Sequence, residues 1–76
     1  MEWRDHIVLD PAICHGRPTF RGTRVLVSTV LAYLAAGRSE AEVGEDFPAI
    51  AADAIHAALA YAADVVDMER VVATSR

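Results

Sequence analysis

The pattern of apolar and polar positions changes period once along the chain, near Val27. Before that point it alternates; after it, apolar residues recur with helical spacing. His6 to Asp10 alternates, with Ile7 and Leu9 on one side and Val8 on the other, which predicts a short strand. Thr19, Phe20 and Arg21 alternate again between Gly16 and Gly22, and Arg24 to Val27 resumes an extended run that is mostly β-branched and apolar. Gly22 tolerates a positive φ, so a sharp turn is expected at Arg21-Gly22-Thr23. Asp10-Pro11 and His15-Gly16 read as further turns around the short apolar stretch Ala12-Ile13-Cys14. Residues 6–27 therefore form a β element, a strand paired with a tight hairpin. Residues 1–5 read as a frayed start, in which Trp3 packs on the body of the protein or on a partner.

Helical spacing begins at Val27-Ser28, with Ser28 at the cap or in the first turn. Val27, Val30, Leu31 and Leu34 follow the i, i+3, i+4, i+7 pattern of one buried face. Gly37 is placed to end this first helix, with Arg38 near its negative end. Ser39-Glu40-Ala41-Glu42 has the form of a capping box and opens a second helix, which Gly44 weakens and Pro48 stops. Val43 and Phe47 are its inner face. A third helix is predicted from Ala51-Ala52-Asp53 to about Val66, with Ile55, Ala58, Leu59, Ala62, Val65 and Val66 inward and Ala57, Ala60 and Ala63 on the other face. Residues 67–76 read as a tail or an extension of that helix. The fold class is thus mainly α with a short N-terminal β-hairpin, in a single domain spanning 1–76. Three helices fill 27–66 in a helix-turn-helix-like arrangement of the homeodomain or winged-helix kind.

Composition adds one point to this. Hydrophobic residues make up 54% of only 76 residues, and a chain so short buries only about 60% of its unfolded surface. Some apolar surface is therefore expected to be covered by a second copy. A homodimer, or an assembly of dimers, is predicted through Val8, Phe20, Leu59 or the apolar side of the third helix. The first ten residues do not form a secretory signal, and no apolar run approaches a membrane span, so a cytoplasmic protein is expected.

Charge changes the picture more. The net charge is −4 and there is no lysine, which argues against a simple polyanion binder. The distribution is uneven, +2 over residues 1–38 and −6 over residues 39–76. Arg17, Arg21 and Arg24 place the positive field on the hairpin. The third helix, which would read bases in a helix-turn-helix protein, offers Asp53, His56 and alanines at its start, a poor set for base edges or phosphates. The hairpin is the better candidate surface, since a two-stranded ribbon can enter a major groove. The competing reading is that these arginines cap carboxylates such as Asp10 or are simply solvated, with Arg24 expected to be the most structural. Cys14, His15, His6 and His56 lack metal-ligand spacing, and Cys14 reads as a small buried residue. No nucleophile, phosphate-loop or dinucleotide motif is present. Neither an enzyme, a metal nor a cofactor is expected.

Asp10-Pro11, Gly16-Arg17-Pro18, Gly22-Thr23-Arg24 and the apolar-Ser helix start, followed by Phe47-Pro48-Ala49-Ile50 and Ala58-Leu59-Ala60-Tyr61-Ala62, resemble the small bacterial family known as domain of unknown function 433. The likeness runs over about residues 6 to 64. It implies a helix-turn-helix-like fold and an antitoxin role beside a PIN-like nuclease toxin. Such a toxin builds its metal site from carboxylates, for which arginine is the natural plug. The residues expected to bind toxin or operator DNA are Arg17, Arg21, Arg24 and Arg70, with Arg76 a further tail candidate. The alternative function is a homo-oligomeric structural module that binds neither.

Overall fold

The structure is a computed structural model that describes residues 2–69. The chain opens with a 3₁₀ turn, Trp3–Asp5, followed by strands β1 (Ile7–Val8) and β2 (Thr19–Phe20) and helices α1 (Val27–Ala35), α2 (Glu40–Asp46) and α3 (Ala52–Glu69). A second 3₁₀ turn, Cys14–Gly16, lies between the strands. The fold class is the expected one: three helices behind a short antiparallel pair.

The strands are shorter than the alternation suggested. β1 and β2 pair antiparallel, Ile7 opposite Phe20 and Val8 opposite Thr19. The turn at Arg21-Gly22-Thr23 forms as expected. Thr23 N donates to Phe20 O at 2.9 Å, and Gly22 has φ 80°, at the position where a type II turn requires glycine. The returning chain stays beside β2 through Phe20 N to Val25 O at 3.1 Å and Val27 N to Pro18 O at 3.0 Å. It then passes directly into α1.

α1 has no side-chain cap at its start; Leu26 holds the cap position and Ser28 lies in the first turn. Its end is well made. Gly37, at φ 93°, donates to Leu34 O at 3.0 Å and Arg38 N donates to Tyr33 O at 3.1 Å, the paired bonds of a Schellman motif. The Arg38 guanidinium then lies 5.6 Å from the centroid of the Tyr33 ring. α2 has the predicted capping box: Glu42 N donates to Ser39 Oγ at 3.1 Å and Ser39 N to Glu42 Oε1 at 2.8 Å. Two early glutamates suit the positive end of so short a helix.

The core is built from Ile7, Phe20, Val27, Val30, Val43, Ile50 and Ile55 together with Ala54, Ala57 and Ala58. Val27 and Val30 of the predicted α1 stripe are buried, Leu31 and Leu34 half-buried. Four expectations are corrected. Phe20 is 2% exposed and belongs to the core, so it is not available to an interface. Leu59 is 43% and Val66 65% exposed, so neither faces the core. The inward face of α3 instead carries Ala54, Ile55, Ala57 and Ala58, with Tyr61 and Val65 half-buried, a rotation of less than one residue step. Val8 is half-buried beside the core.

The fourth correction concerns the start of the chain. Residues 2–5 are not frayed. Glu2 caps the first 3₁₀ turn, accepting from Arg4 N at 3.0 Å and pairing with Arg4 Nη1 at 3.0 Å. That backbone bond, ahead of the guanidinium, lowers the pKa of Glu2. The turn gains from it above the ordinary carboxylate range and loses it as pH falls through the lowered value. Trp3 packs on the body: its ring meets Tyr61 edge-on at 4.7 Å and 81°, and its Nε1 donates to Asp64 Oδ2 at 2.8 Å.

The phase of α3 is directly testable. Ile55→Ala is expected to cost about 2–5 kcal/mol, the range for emptying a buried aliphatic site, and Leu59→Ala less than about 1 kcal/mol. Urea unfolding followed by circular dichroism would read both; equal losses would contradict the packing described.

Candidate functional site

The hairpin end is shaped by two tight reversals. In the Cys14–Gly16 turn three successive residues take positive φ, 49°, 58° and 82°. The left-handed region is unfavourable for the first two, which have a Cβ. The turn is held by Gly16 N to Ile13 O at 3.0 Å and Arg17 N to Cys14 O at 3.1 Å. Cys14 is half-buried rather than buried, with Sγ 3.8 Å from Arg24 O. This contact docks the first reversal against the strand returning from the second, bringing the backbones at Arg17 and Arg24 to one end of the molecule.

The three arginines of this end then have different surroundings. Arg17 is exposed and its Nη2 lies 3.5 Å from Ser28 Oγ, in the first turn of α1. The start of α1 has no capping side chain, but Val27 N donates to Pro18 O at 3.0 Å and Thr29 N to Leu26 O at 3.1 Å, so the positive charge at this end comes from the guanidiniums. Arg24 is exposed, and among the described residues its side chain has no hydrogen-bond or ion-pair partner. Arg21 is different: Nη2 donates to Arg4 O at 2.8 Å and Nε to Asp5 O at 3.2 Å. It braces the first 3₁₀ turn against the hairpin. The expectation that Arg24 is the most structural of the three is therefore reversed. Asp10 does not cap an arginine either; Ala12 N donates to its Oδ1 at 2.9 Å, closing a local turn. Arg70 and Arg76 lie outside the described residues.

α2 and α3 are acidic. Between Ala52 and Glu69 there is no arginine or lysine. His56, exposed near the start of α3, is engaged by α2, its Nε2 lying 3.2 Å from Glu40 Oε1. Asp53 beside it is exposed. A polyanion approaching the start of α3 would meet Asp53, Glu40 and an already occupied histidine. Among the described residues no group of three or more His, Cys, Asp or Glu is placed to hold a metal ion, and no helix is long and apolar enough to cross a membrane.

With this geometry in view, comparison with known proteins gives one match. The model of a family described as a protein of unknown function, DUF433, covers residues 7–62. The chain belongs to that family. No curated protein and no solved structure matches it. The DUF433 segment begins at β1 and stops inside α3, so it contains Arg17, Arg21 and Arg24 together with the turns that carry them. It leaves out Trp3 and Asp64, the pair that ties the start of the chain to α3. In the sequence that pair shows only as one large aromatic residue in a charged setting.

The division of labour among the arginines predicts a stability difference. Arg21→Ala is expected to cost about 1 kcal/mol, the net value of such hydrogen bonds. It should also shift the Trp3 fluorescence to longer wavelength as the N-terminal turn loosens. Arg17→Ala and Arg24→Ala should leave both unchanged. Thermal melts with emission spectra would read this, and a larger loss at Arg24 than at Arg21 would contradict it.

Proposed function

We propose that this chain is a cytoplasmic antitoxin of a bacterial type II toxin–antitoxin pair, which binds and neutralises a PIN-like nuclease and, as a dimer, binds its own operator DNA. The partner class comes from the family resemblance. The observation that carries the reading is the end formed by the exposed Arg17 and Arg24, set against an acidic α2–α3 surface.

An exposed guanidinium keeps its charge at any physiological pH and pairs bidentately with carboxylates or phosphates. Arg17 and Arg24 therefore suit both the carboxylate metal site of a nuclease and a DNA backbone. Arg21 holds the surface in shape. The protein acts by binding, without a catalytic residue or cofactor of its own. Leu59 and Val66, exposed on α3, together with the half-buried Val8, supply the apolar surface for dimerisation. The same exposed residues favour a second reading, a homo-oligomeric module that binds neither toxin nor DNA.

Co-expression with the adjacent gene, followed by co-purification, separates the two. The first reading expects a stable complex that Arg17→Ala combined with Arg24→Ala disrupts, with the helical circular dichroism spectrum intact. If operator DNA is bound, two arginines per chain in a dimer give a slope of log K against log salt of roughly −4 at most. Loss of binding on Asp53→Ala or His56→Ala, with the double arginine variant binding normally, would assign recognition to α3 instead.

A further inference from the structure

Between the N-terminal turn and the last turns of α3 runs an open groove of about 360 Å³, within the volume range of specific binding sites. Its floor is apolar: Trp3, Leu9, Tyr61, Val65 and Met68. Leu9 is 52% and Met68 71% exposed, so much of this surface faces solvent. Tyr61, Val65 and Met68 recur at i, i+4 and i+7 along α3, the spacing of a helix that lines one side of a groove. Asp64 and Asp67 stand on the same side, and the described residues of α3, Ala52–Glu69, include no arginine or lysine. Arg4 also lines the groove; its guanidinium pairs with Glu2 at 3.0 Å and covers one face of Trp3, 4.4 Å from the ring centroid, which leaves Asp64 and Asp67 as the charges open to a ligand. Trp3 is fixed in place by Tyr61 and Asp64, so little ordering remains to oppose binding.

We infer that this groove docks a cationic amphipathic segment of a partner protein, whose aliphatic or aromatic anchors enter the apolar floor while its arginines or lysines meet Asp64 and Asp67. Charge selects this occupant over a second copy packed α3 to α3, which would set acid against acid. The groove lies on a different side of α3 from Leu59 and Val66. Of its lining, only Leu9 and Tyr61 fall within the family-matched span 7–62. The groove deepens the protein-binding half of the reading above by giving the partner a second seat, apart from the hairpin arginines.

Trp3 is the only tryptophan in the chain, so its fluorescence reports on the groove. The test titrates the full chain with a tryptophan-free synthetic helix carrying leucines at i, i+4 and i+7 with arginines beside them, and with a twin in which glutamates replace the arginines. The arginine peptide should move Trp3 emission saturably to shorter wavelength and the glutamate twin should not. Asp64→Asn with Asp67→Asn, which leaves a carboxamide to accept from Trp3, should weaken binding about fivefold to tenfold. Met68→Glu should abolish it and Glu45→Gln, on the exposed side of α2, should leave it unchanged, each with an intact circular dichroism spectrum. Equal responses to the two peptides, no response, or binding that survives Met68→Glu would overturn the inference. So would a dimer seen by light scattering that Met68→Glu splits, which assigns the groove to a second copy. A peptide-free Trp3 emission that moves on Val71→Asp with Val72→Asp would overturn it as well, assigning the groove to residues 70–76. Peptide binding without co-purification of the adjacent gene product would sink the antitoxin reading alone, and the converse would sink the groove alone.

Discussion

Ala57 and Ala58 have no exposed surface, and with Ala54 they give α3 a flat inner side on which its neighbours rest. A side chain that ends at Cβ lets another element come close, toward the short end of the usual 8–10 Å between helix axes. α1, α2, β1 and the first 3₁₀ turn all pack on α3. The larger residues come mostly from the other elements: Phe20 from β2, Val27 and Val30 from α1 and Val43 from α2. From α3, Ile55 and the half-buried Tyr61 reach the other way. In a chain of 76 residues this arrangement makes one small core serve every element, where the surface-to-volume ratio leaves little to spare.

The same arrangement separates charge. Because α3 needs only small residues inside, its outer surface can carry acids along its length, while the cations gather where the hairpin enters α1. Each end is held by backbone geometry. Gly22 and Gly37 take the positive φ that their turns require, and the Cys14–Gly16 reversal is docked through its cysteine onto Arg24. The exposed guanidiniums of Arg17 and Arg24 thus extend from a fixed frame, while Arg21 is part of the frame.

The fold was legible where the sequence carries strong local chemistry. The serine and glutamate of the capping box, the glycine after α1 and the glycine in the hairpin turn each dictate one backbone geometry, and each forms as expected. The phase of α3 was not legible because alanine recurs at nearly every position, so the apolar stripe has no sharp edge. The larger Leu59 and Val66 then suggested an inward face that the packing does not use. On the face that does pack, Trp3 meets Tyr61 and Asp64, and contacts so distant in sequence leave no periodic trace. Phe20 was misassigned for a related reason. A two-residue strand shows no alternation that tells its buried face from an interface. Thr19 beside it is fully buried, and its hydroxyl has no partner among the described residues, a placement that no polar pattern would suggest. At the site, the clustering of arginines was visible in sequence. Their roles were not, because they depend on which carbonyls lie within reach, and Arg21 finds those of Arg4 and Asp5.

The central claim is that the hairpin end is the working surface and the start of α3 is support. Two-dimensional ¹H–¹⁵N NMR of the labelled chain, titrated with the unlabelled product of the adjacent gene, tests it residue by residue. The account predicts the largest shift changes between residues 14 and 28, with further changes at Trp3 and at 61–68, and little change between 40 and 56. Changes concentrated at Asp53 and His56, with Arg17 to Ser28 undisturbed, would contradict it.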